Sequence, residues 1–482
     1  MTAAGTWMLL VLALLIVGTG LPVWALLIGV ASAFAAAGVA VGAFDTAILS
    51  AAGPRLVSLL ESDLLQAMPL YVLVGVLLQR LPVADALFGS AARALRGTGA
   101  GSSLAALAVG ALIAPMNGSV ASSSALLSRL VAPRLAGLAP ARGLSLISAA
   151  ATVGVVVPPS LVLILLGDAM LRAHTEAGNL PGHGLDGQRI VNTQDILHAA
   201  LVPALCILAL WALAAWAQGR RRARLADPPP MPGHRNLLAA SAAVGILCLL
   251  ASVFTGRMFA VEAAAVGGCV LLVGAVATRA FDRAQWSSLL HEALALSGAL
   301  FALLVGATIF SLVFRLFGTD RWLAQLVLGS PWTPLVTAAL TLLGVAACAW
   351  VLDAFEMIFV VVPIVGPLLI AQLGDAQQVA VLLLLVLQVS FLLPPMGYAV
   401  LMARAMSGLP RVDARPLLSA LAPFVGAQLV VAATVFAWPA IVHLLDAPAP
   451  AASTQPAATE DDIARQMKDM SPQPPEQEPA PR

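Results

Sequence analysis

The 482-residue chain is 60% apolar and only 10% charged, with a formal net charge of +1 and a mean hydropathy of +0.95. A soluble protein of this length needs far more polar surface to cover its core, so lipid must solvate much of this one. The near-neutral balance and the lack of a dense basic face with interleaved aromatics argue against a nucleic-acid partner. Cys206, Cys248, Cys269 and Cys348 all lie in apolar stretches without CxxC spacing. Neither a disulfide framework nor a metal site is expected of them.

Apolar stretches of spanning or near-spanning length fall at about 7–19, 22–44, 64–81, 143–167, 197–217, 236–255, 258–278, 291–317, 379–403 and 420–445, each bounded by charge, Gly or Pro. The first could pass for a signal peptide. It runs on without an Ala-x-Ala site or a polar mature domain, so it reads as the first membrane helix. Two further regions, about 101–131 and 333–372, are interrupted near their middles by Pro115-Met116-Asn117-Gly118-Ser119 and Asp353-Ala354-Phe355-Glu356. A helix that enters, turns at a polar tip and leaves on the same side explains both, provided protein or a water-filled cavity surrounds it. A kinked through-helix is the alternative.

Arginine sets the orientation. Sixteen arginines fall in loops at 80–96, 129–142, 220–235, 279–283 and 404–415, against six on the other side: Arg55, Arg172, Arg189, Arg257, Arg315 and Arg321. The positive-inside rule makes the richer side cytoplasmic and puts both termini outside, in the periplasm of a bacterial inner membrane.

The tips Asn117 and Asp353 are 236 residues apart, and so are Pro158-Pro159 and Pro394-Pro395; Gly20 and Gly256 share the offset. Five crossings per half, an odd number, invert the second half relative to the first. The expected fold is an all-α membrane protein of two inverted repeats, about ten transmembrane helices plus two re-entrant hairpins. The first repeat is 1–217, a basic cytoplasmic linker covers 218–235, and the second repeat is 236–445. Residues 446–482, rich in Pro, Ala and acid, read as a disordered tail, and 168–196 as a polar outer excursion. Inverted repeats with broken helices are the architecture of secondary transporters, with the site at the midplane.

The chemistry concentrates at the breaks and tips. In Thr152-Val153-Gly154-Val155-Val156-Val157-Pro158-Pro159-Ser160, and in Ser390-Phe391-Leu392-Leu393-Pro394-Pro395-Met396-Gly397, paired prolines remove two amide donors and push the preceding residue out of helical geometry. The carbonyls so freed suit a sodium ion; a packing kink satisfied by hydroxyls such as Ser160 is the structural alternative. The first tip, with Asn117, Gly118, Ser119, Ser122, Ser123 and Ser124, opens a helix whose free N–H groups suit a substrate carboxylate. Ser123 and Ser124 also fit simple small-residue packing. At the second tip Asp353 can cap a helix and bind a cation at once, and a membrane ionisable group is a functional candidate by default. Glu356, three residues on, is open to a sodium site, a proton-linked role or a pairing with Arg404. Glu262 lies one turn into its span, where the helix dipole favours a structural role.

No HExxH, Gly-x-Ser-x-Gly or P-loop occurs, so neither ATP bound to this chain nor hydrolytic chemistry drives it. It reads as a non-enzyme, with no catalytic residues and no organic cofactor. A membrane-embedded enzyme lacks the motifs it would need, and a purely structural scaffold would not need two polar tips facing broken helices.

Asn117-Gly118-Ser119 with its serine-rich helix, Ala149 to Ser160, Glu262 to Gly267, Leu352-Asp353-Ala354-Phe355-Glu356 and Leu393-Pro394-Pro395-Met396-Gly397 together resemble the large membrane subunit of tripartite ATP-independent periplasmic (TRAP) transporters. The resemblance covers roughly residues 5–445 in order. Met116-Asn117-Gly118 departs from the Ser-Gly-Ser type tip of many members, and the Leu-Asp-Ala-Phe-Glu form resembles the branch labelled mannitol/chloroaromatic or 2-oxo acid. The resemblance implies a sodium-driven elevator importer (symporter) of organic acids. It implies as partners a small four-helix membrane subunit and a periplasmic solute-binding protein. It implies sodium sites at Asn117, Ser119, Thr152, Gly154 and Pro158 in one half and at Asp353, Ser390 and Pro394 in the other. Asn117, Gly118, Ser122, Ser160, Glu356 and Gly397 are the candidates for the substrate. A stand-alone ion-coupled anion transporter of the wider elevator superfamily is the second reading. In the first reading, residues about 101–167 and 337–406 form the moving domain.

Overall fold

The computed structural model describes residues 3–45, 50–61, 63–117, 119–135, 139–180, 191–220, 233–394 and 397–446. Gly118, Pro395, most of the 218–235 linker, the stretch 181–190 and the tail from 447 lie outside the described residues, as does the side chain of Asn117. The described chain is helical throughout, as membrane depth requires, because a helix pairs its own backbone groups without water.

In chain order the helices are α1 (Ala3–Thr19), α2 (Val23–Ala40), α3 (Ala52–Leu60), α4 (Asp63–Arg80), α5 (Val83–Ala94), α6 (Gly101–Asn117), α7 (Val120–Val131), α8 (Pro140–Val156), α9 (Leu161–Ala177) and α10 (Thr193–Arg220). They continue as α11 (Gly233–Phe254), α12 (Ala260–Ala277), α13 (Arg283–Leu316), α14 (Thr319–Leu328), α15 (Pro334–Cys348), α16 (Ala354–Leu373), α17 (Ala376–Leu392), α18 (Tyr398–Met406) and α19 (Ala414–Ala437). Seven of these are long and apolar enough to cross a bilayer singly, or up to nine spans if each of two bent pairs counts as one. Both interrupted regions are helix pairs joined at the polar residues, α6–α7 and α15–α16. Both Pro-Pro segments are breaks, α8–α9 bending by 43° and α17–α18 parting at Leu393. The spans at 143–167 and 379–403 are thus each two helices, parted where the paired prolines lie.

Three helices had no counterpart among the expected spans: α3, α5 and α14. Each is short and mixes charge with apolar residues, as in Thr319-Asp320-Arg321-Trp322-Leu323 of α14. A search for long apolar runs passes over such segments.

The 236-residue offset runs through the helix boundaries. α5 and α14 begin at 83 and 319, α8 and α17 span 140–156 and 376–392, and α2 and α12, beginning at 23 and 260, fall within one residue of it. The turns between α1 and α2 and between α11 and α12 both pivot on a glycine in the left-handed region, Gly20 at φ +64° and Gly256 at φ +69°, where a side chain would be strained. α10 and α19 break the offset, because the excursion before α10 lengthens the first half.

Packing follows the same relation. α7 packs on α18 and its counterpart α16 packs on α9; α12 packs on α4 and its counterpart α2 packs on α13. Every one of these pairs joins one half to the other, so neither half closes a core alone. α8 and α17 are buried nearly all round, as helices enclosed by protein must be. They meet through a bond between equivalent positions: Gln388 Nε2 donates to Thr152 O at 3.2 Å, across a separation of 236 residues. Two positions related by the repeat can touch only near the pseudo-two-fold axis that relates the halves. The outer helices are the reverse case. Trp7, Leu14, Val270, Val273, Leu294 and Leu343 are largely exposed, a surface suited to lipid or to an apolar partner.

Candidate functional site

A cavity of about 210 Å³ brings the two tips together. Ser119 and Ser122 enter it from the first tip, Asp353 and Phe355 from the second, and Leu161 and Tyr398 from the helices that follow the two breaks. Its far wall is the C-terminal half of α4, including Gly75 and Gln79, together with Leu296, Ala299 and Leu300 of α13.

Each tip is built as a helix start. Ser119, at φ −122° and ψ 130°, caps α7 by accepting a hydrogen bond from Ser122 N at 3.5 Å. Asp353 occupies the same position on α16, at φ −77° and ψ 171°. Its own N–H donates to Glu356 Oε2 at 3.0 Å, the reciprocal arm of a capping box. Glu356 is thereby held by the tip backbone. Of the roles left open for it, the pairing with Arg404 is not formed: Arg404 Nη2 donates to Val412 O at 3.2 Å. Asp353 Oδ1 is buried and has no hydrogen-bond partner among the described residues. A buried carboxylate oxygen left unpaired costs several kcal/mol of solvation, and a cation in the cavity would offset that cost. Beyond the tip, α16 widens into a π-helical turn at Met357–Val361.

The breaks supply the second layer. Ser160 is fully buried and caps α9, accepting from Leu163 N at 3.1 Å, so its hydroxyl oxygen already serves the structural role open to it. The Pro158–Pro159 peptide bond is cis. Thr152 Oγ1 donates to Ala149 O at 2.9 Å, and Ser390 Oγ donates to Val386 O at 2.9 Å. Thr152 O takes the Gln388 amide. Thr152, Gly154, Pro158, Ser390 and Pro394 thus lie along α8 and α17 and their breaks, outside the cavity wall. Gly397 starts α18 beside Tyr398, and a Cβ there would come within 2.7 Å of Phe391 O and 2.8 Å of Leu393 O. Only glycine permits the chain to turn that closely on itself.

Ser119, Ser122 and Asp353 are therefore brought together, while the remaining described candidates stand behind them or at the breaks. Gly118 lies outside the described residues. The sequence did not single out Gln79 or Tyr398. Gln79 sits beside Arg80 at a span end, and Tyr398, one of only two tyrosines, follows the second break; those positions were the available signals. Glu262 is structural as expected, accepting from Phe259 N at 2.9 Å to cap α12.

The family model of the tripartite ATP-independent periplasmic transporter DctM component matches residues 8–441. This chain belongs to that family. Among solved structures, the DctM-family fold described here is similar to the crystal structure of the Alcanivorax borkumensis YdaH transporter, described as having an unusual topology. The TM-score is 0.59 at 16% identity, covering 82% of this chain and 90% of that one. At that identity the likeness speaks to the fold alone. No match is found among curated proteins. The chain is thus an integral membrane component of a TRAP transporter.

Proposed function

We propose that this DctM-family chain is the large permease subunit of a sodium-coupled importer of an organic acid, acting in the bacterial inner membrane with both termini in the periplasm. The observation that carries the reading is the cavity lined by Ser119 of one tip and by Asp353 of the other, whose buried Oδ1 has no hydrogen-bond partner among the described residues. Sodium takes oxygen ligands, and a carboxylate, hydroxyls and the carbonyls freed at the breaks are the set it prefers. Among the described residues no group of three His, Cys, Asp or Glu gathers, so the chemistry favours a hard monovalent cation over a transition metal. The N–H groups opening α7 and α16 point their partial positive charge into the same space, where a substrate carboxylate is stabilised.

In this reading residues about 101–167 and 337–406 form the moving domain. The other spans form a scaffold that mates with a small four-helix subunit, and a periplasmic binding protein delivers the substrate. The halves are 1–217 and 236–445, joined by the cytoplasmic linker. Sodium bound first closes the tips around Asp353 and builds the anion site, which couples the two solutes. The test is uptake by proteoliposomes holding the chain and its two partners. The solute is the labelled carboxylate that most raises the thermal unfolding midpoint of the cognate binding protein. Accumulation should follow an inward sodium gradient. Equal uptake with choline in place of sodium and no proton gradient would defeat the coupling.

A further inference from the structure

A second cavity, of about 500 Å³, lies between the scaffold and the other face of the tip bundle. It is the repeat counterpart of the tip cavity. Val72, Gly75, Gln79 and Ser122 line the smaller one, and the residues 236 positions on, Thr308, Ser311, Arg315 and Ile358, line the larger. Four matched positions place the two cavities on either side of the axis that runs by Thr152 and Gln388. Along α13 the smaller is lined by Leu296 to Leu300 and the larger by Leu304 to Arg315, stretches centred roughly 17 Å apart at about 1.5 Å per residue.

The two walls differ in charge at one decisive position. Gln79 is a neutral amide, and its counterpart Arg315 is a guanidinium. Arg315 Nη2 is paired with Glu176 Oε1 of α9 at 2.5 Å; α9 runs unbroken from Leu161 to Ala177, so Glu176, just past residue 167, travels with the moving segment and the pair joins the scaffold to it. Arg55 and Arg172 line the same cavity with Asp168 and Glu176, which leaves the wall one positive charge in excess.

Resting on the proposed elevator transport of an organic anion, in which the larger cavity is the second stop of the tips, we infer that Arg315 is the residue there that receives the substrate's carboxylate. While the tips are away, Glu176 neutralises Arg315. When they arrive, the bundle carries Glu176 off with α9, and the guanidinium turns its fork to the incoming anion. A guanidinium binds a carboxylate through two parallel hydrogen bonds, which an amide cannot match. The anion is therefore held more tightly at the Arg315 stop than at the Gln79 stop. In the proposed orientation that means tight loading from the periplasm and easy release to the cytoplasm.

The test uses the full chain in membrane vesicles, with Cys206, Cys248, Cys269 and Cys348 replaced by alanine. Val72→Cys with Ser119→Cys should cross-link through a short bifunctional thiol reagent, reporting the stop seen here. Thr308→Cys with Phe355→Cys, the same pair moved 236 positions, should cross-link as well. If the first pair links and the second never does, the second stop is wrong. In a separate chain carrying Ser311→Cys, modification by a sulfonate methanethiosulfonate is compared with that by its trimethylammonium analogue, the sulfonate standing in for the carboxylate. Glu176→Gln should raise the preference for the anionic reagent by about tenfold, and Arg315→Gln should lower it by as much. A ratio indifferent to both substitutions removes Arg315 from the role. The Val72/Ser119 cross-link, repeated in each variant, shows that the variant folds. Neither readout uses sodium or substrate, so its failure would leave the sodium-coupled uptake reading standing, and the reverse holds too.

Discussion

Asp353 carries the most weight of any single side chain. Its Oδ1 is buried at the meeting of the tips without a hydrogen-bond partner among the described residues, and its N–H is secured by Glu356. Asp353→Asn keeps the shape and removes the charge. The sodium concentration for half-maximal uptake should rise at least about tenfold, a loss of about 1.4 kcal/mol in ion binding. An unchanged sodium dependence would move the ion site elsewhere. Glu356 separates into two roles by a simple comparison. Glu356→Gln retains an oxygen that accepts from Asp353 N, so thermal stability in detergent should hold. Glu356→Ala should cost about 1 kcal/mol through the lost cap. Gly397 is a steric case: Gly397→Ala puts a methyl within 2.8 Å of two backbone carbonyl oxygens. Backbone has to move there, so a loss of about 1–3 kcal/mol is expected in the unfolding midpoint, with uptake reduced alongside.

At the scale of elements, the break helices are tied to one another by amides. Gln388 bridges Thr152 O to α19, where Gln428 Nε2 donates to Gln388 Oε1 at 2.6 Å. Gln388→Leu leaves the Gln428 amide only a 3.4 Å contact with Leu385 O. A destabilisation of about 1–3 kcal/mol should follow, measured by thermal unfolding in detergent. These elements also show what the sequence made legible. Pro-Pro in a membrane span forbids a continuous helix by covalent structure alone, and a charged residue in an apolar run has few places to go. The breaks, the tips and the 236-residue repeat could therefore be read directly. α3, α5 and α14 could not, because their mixed composition is equally that of a loop. Nor could the cavity wall: Gln79 and Tyr398 owe their place to how α4 and α18 pack, and packing leaves no local pattern at either residue. Arg404 went to the Val412 carbonyl instead of Glu356 for the same reason.

For the whole molecule, α12 packs onto α4 and α2 onto α13 across the two halves; in the proposed reading these helices are the interlocked scaffold against which the tip bundle moves. The proposed orientation predicts that single cysteines added at either terminus, in the cysteine-free chain, react with an impermeant maleimide in intact spheroplasts. Labelling only after lysis would reverse the assignment of sides. The central claim joins all three scales: sodium at the tips, held by Asp353, drives an organic acid inward. Its most direct measurement is concentrative uptake by the reconstituted three-component system under an imposed sodium gradient, with the substrate of the cognate binding protein. The account predicts accumulation that collapses when choline replaces sodium and that Asp353→Asn impairs in the same preparation. Undiminished accumulation in choline, without a proton gradient, would contradict it.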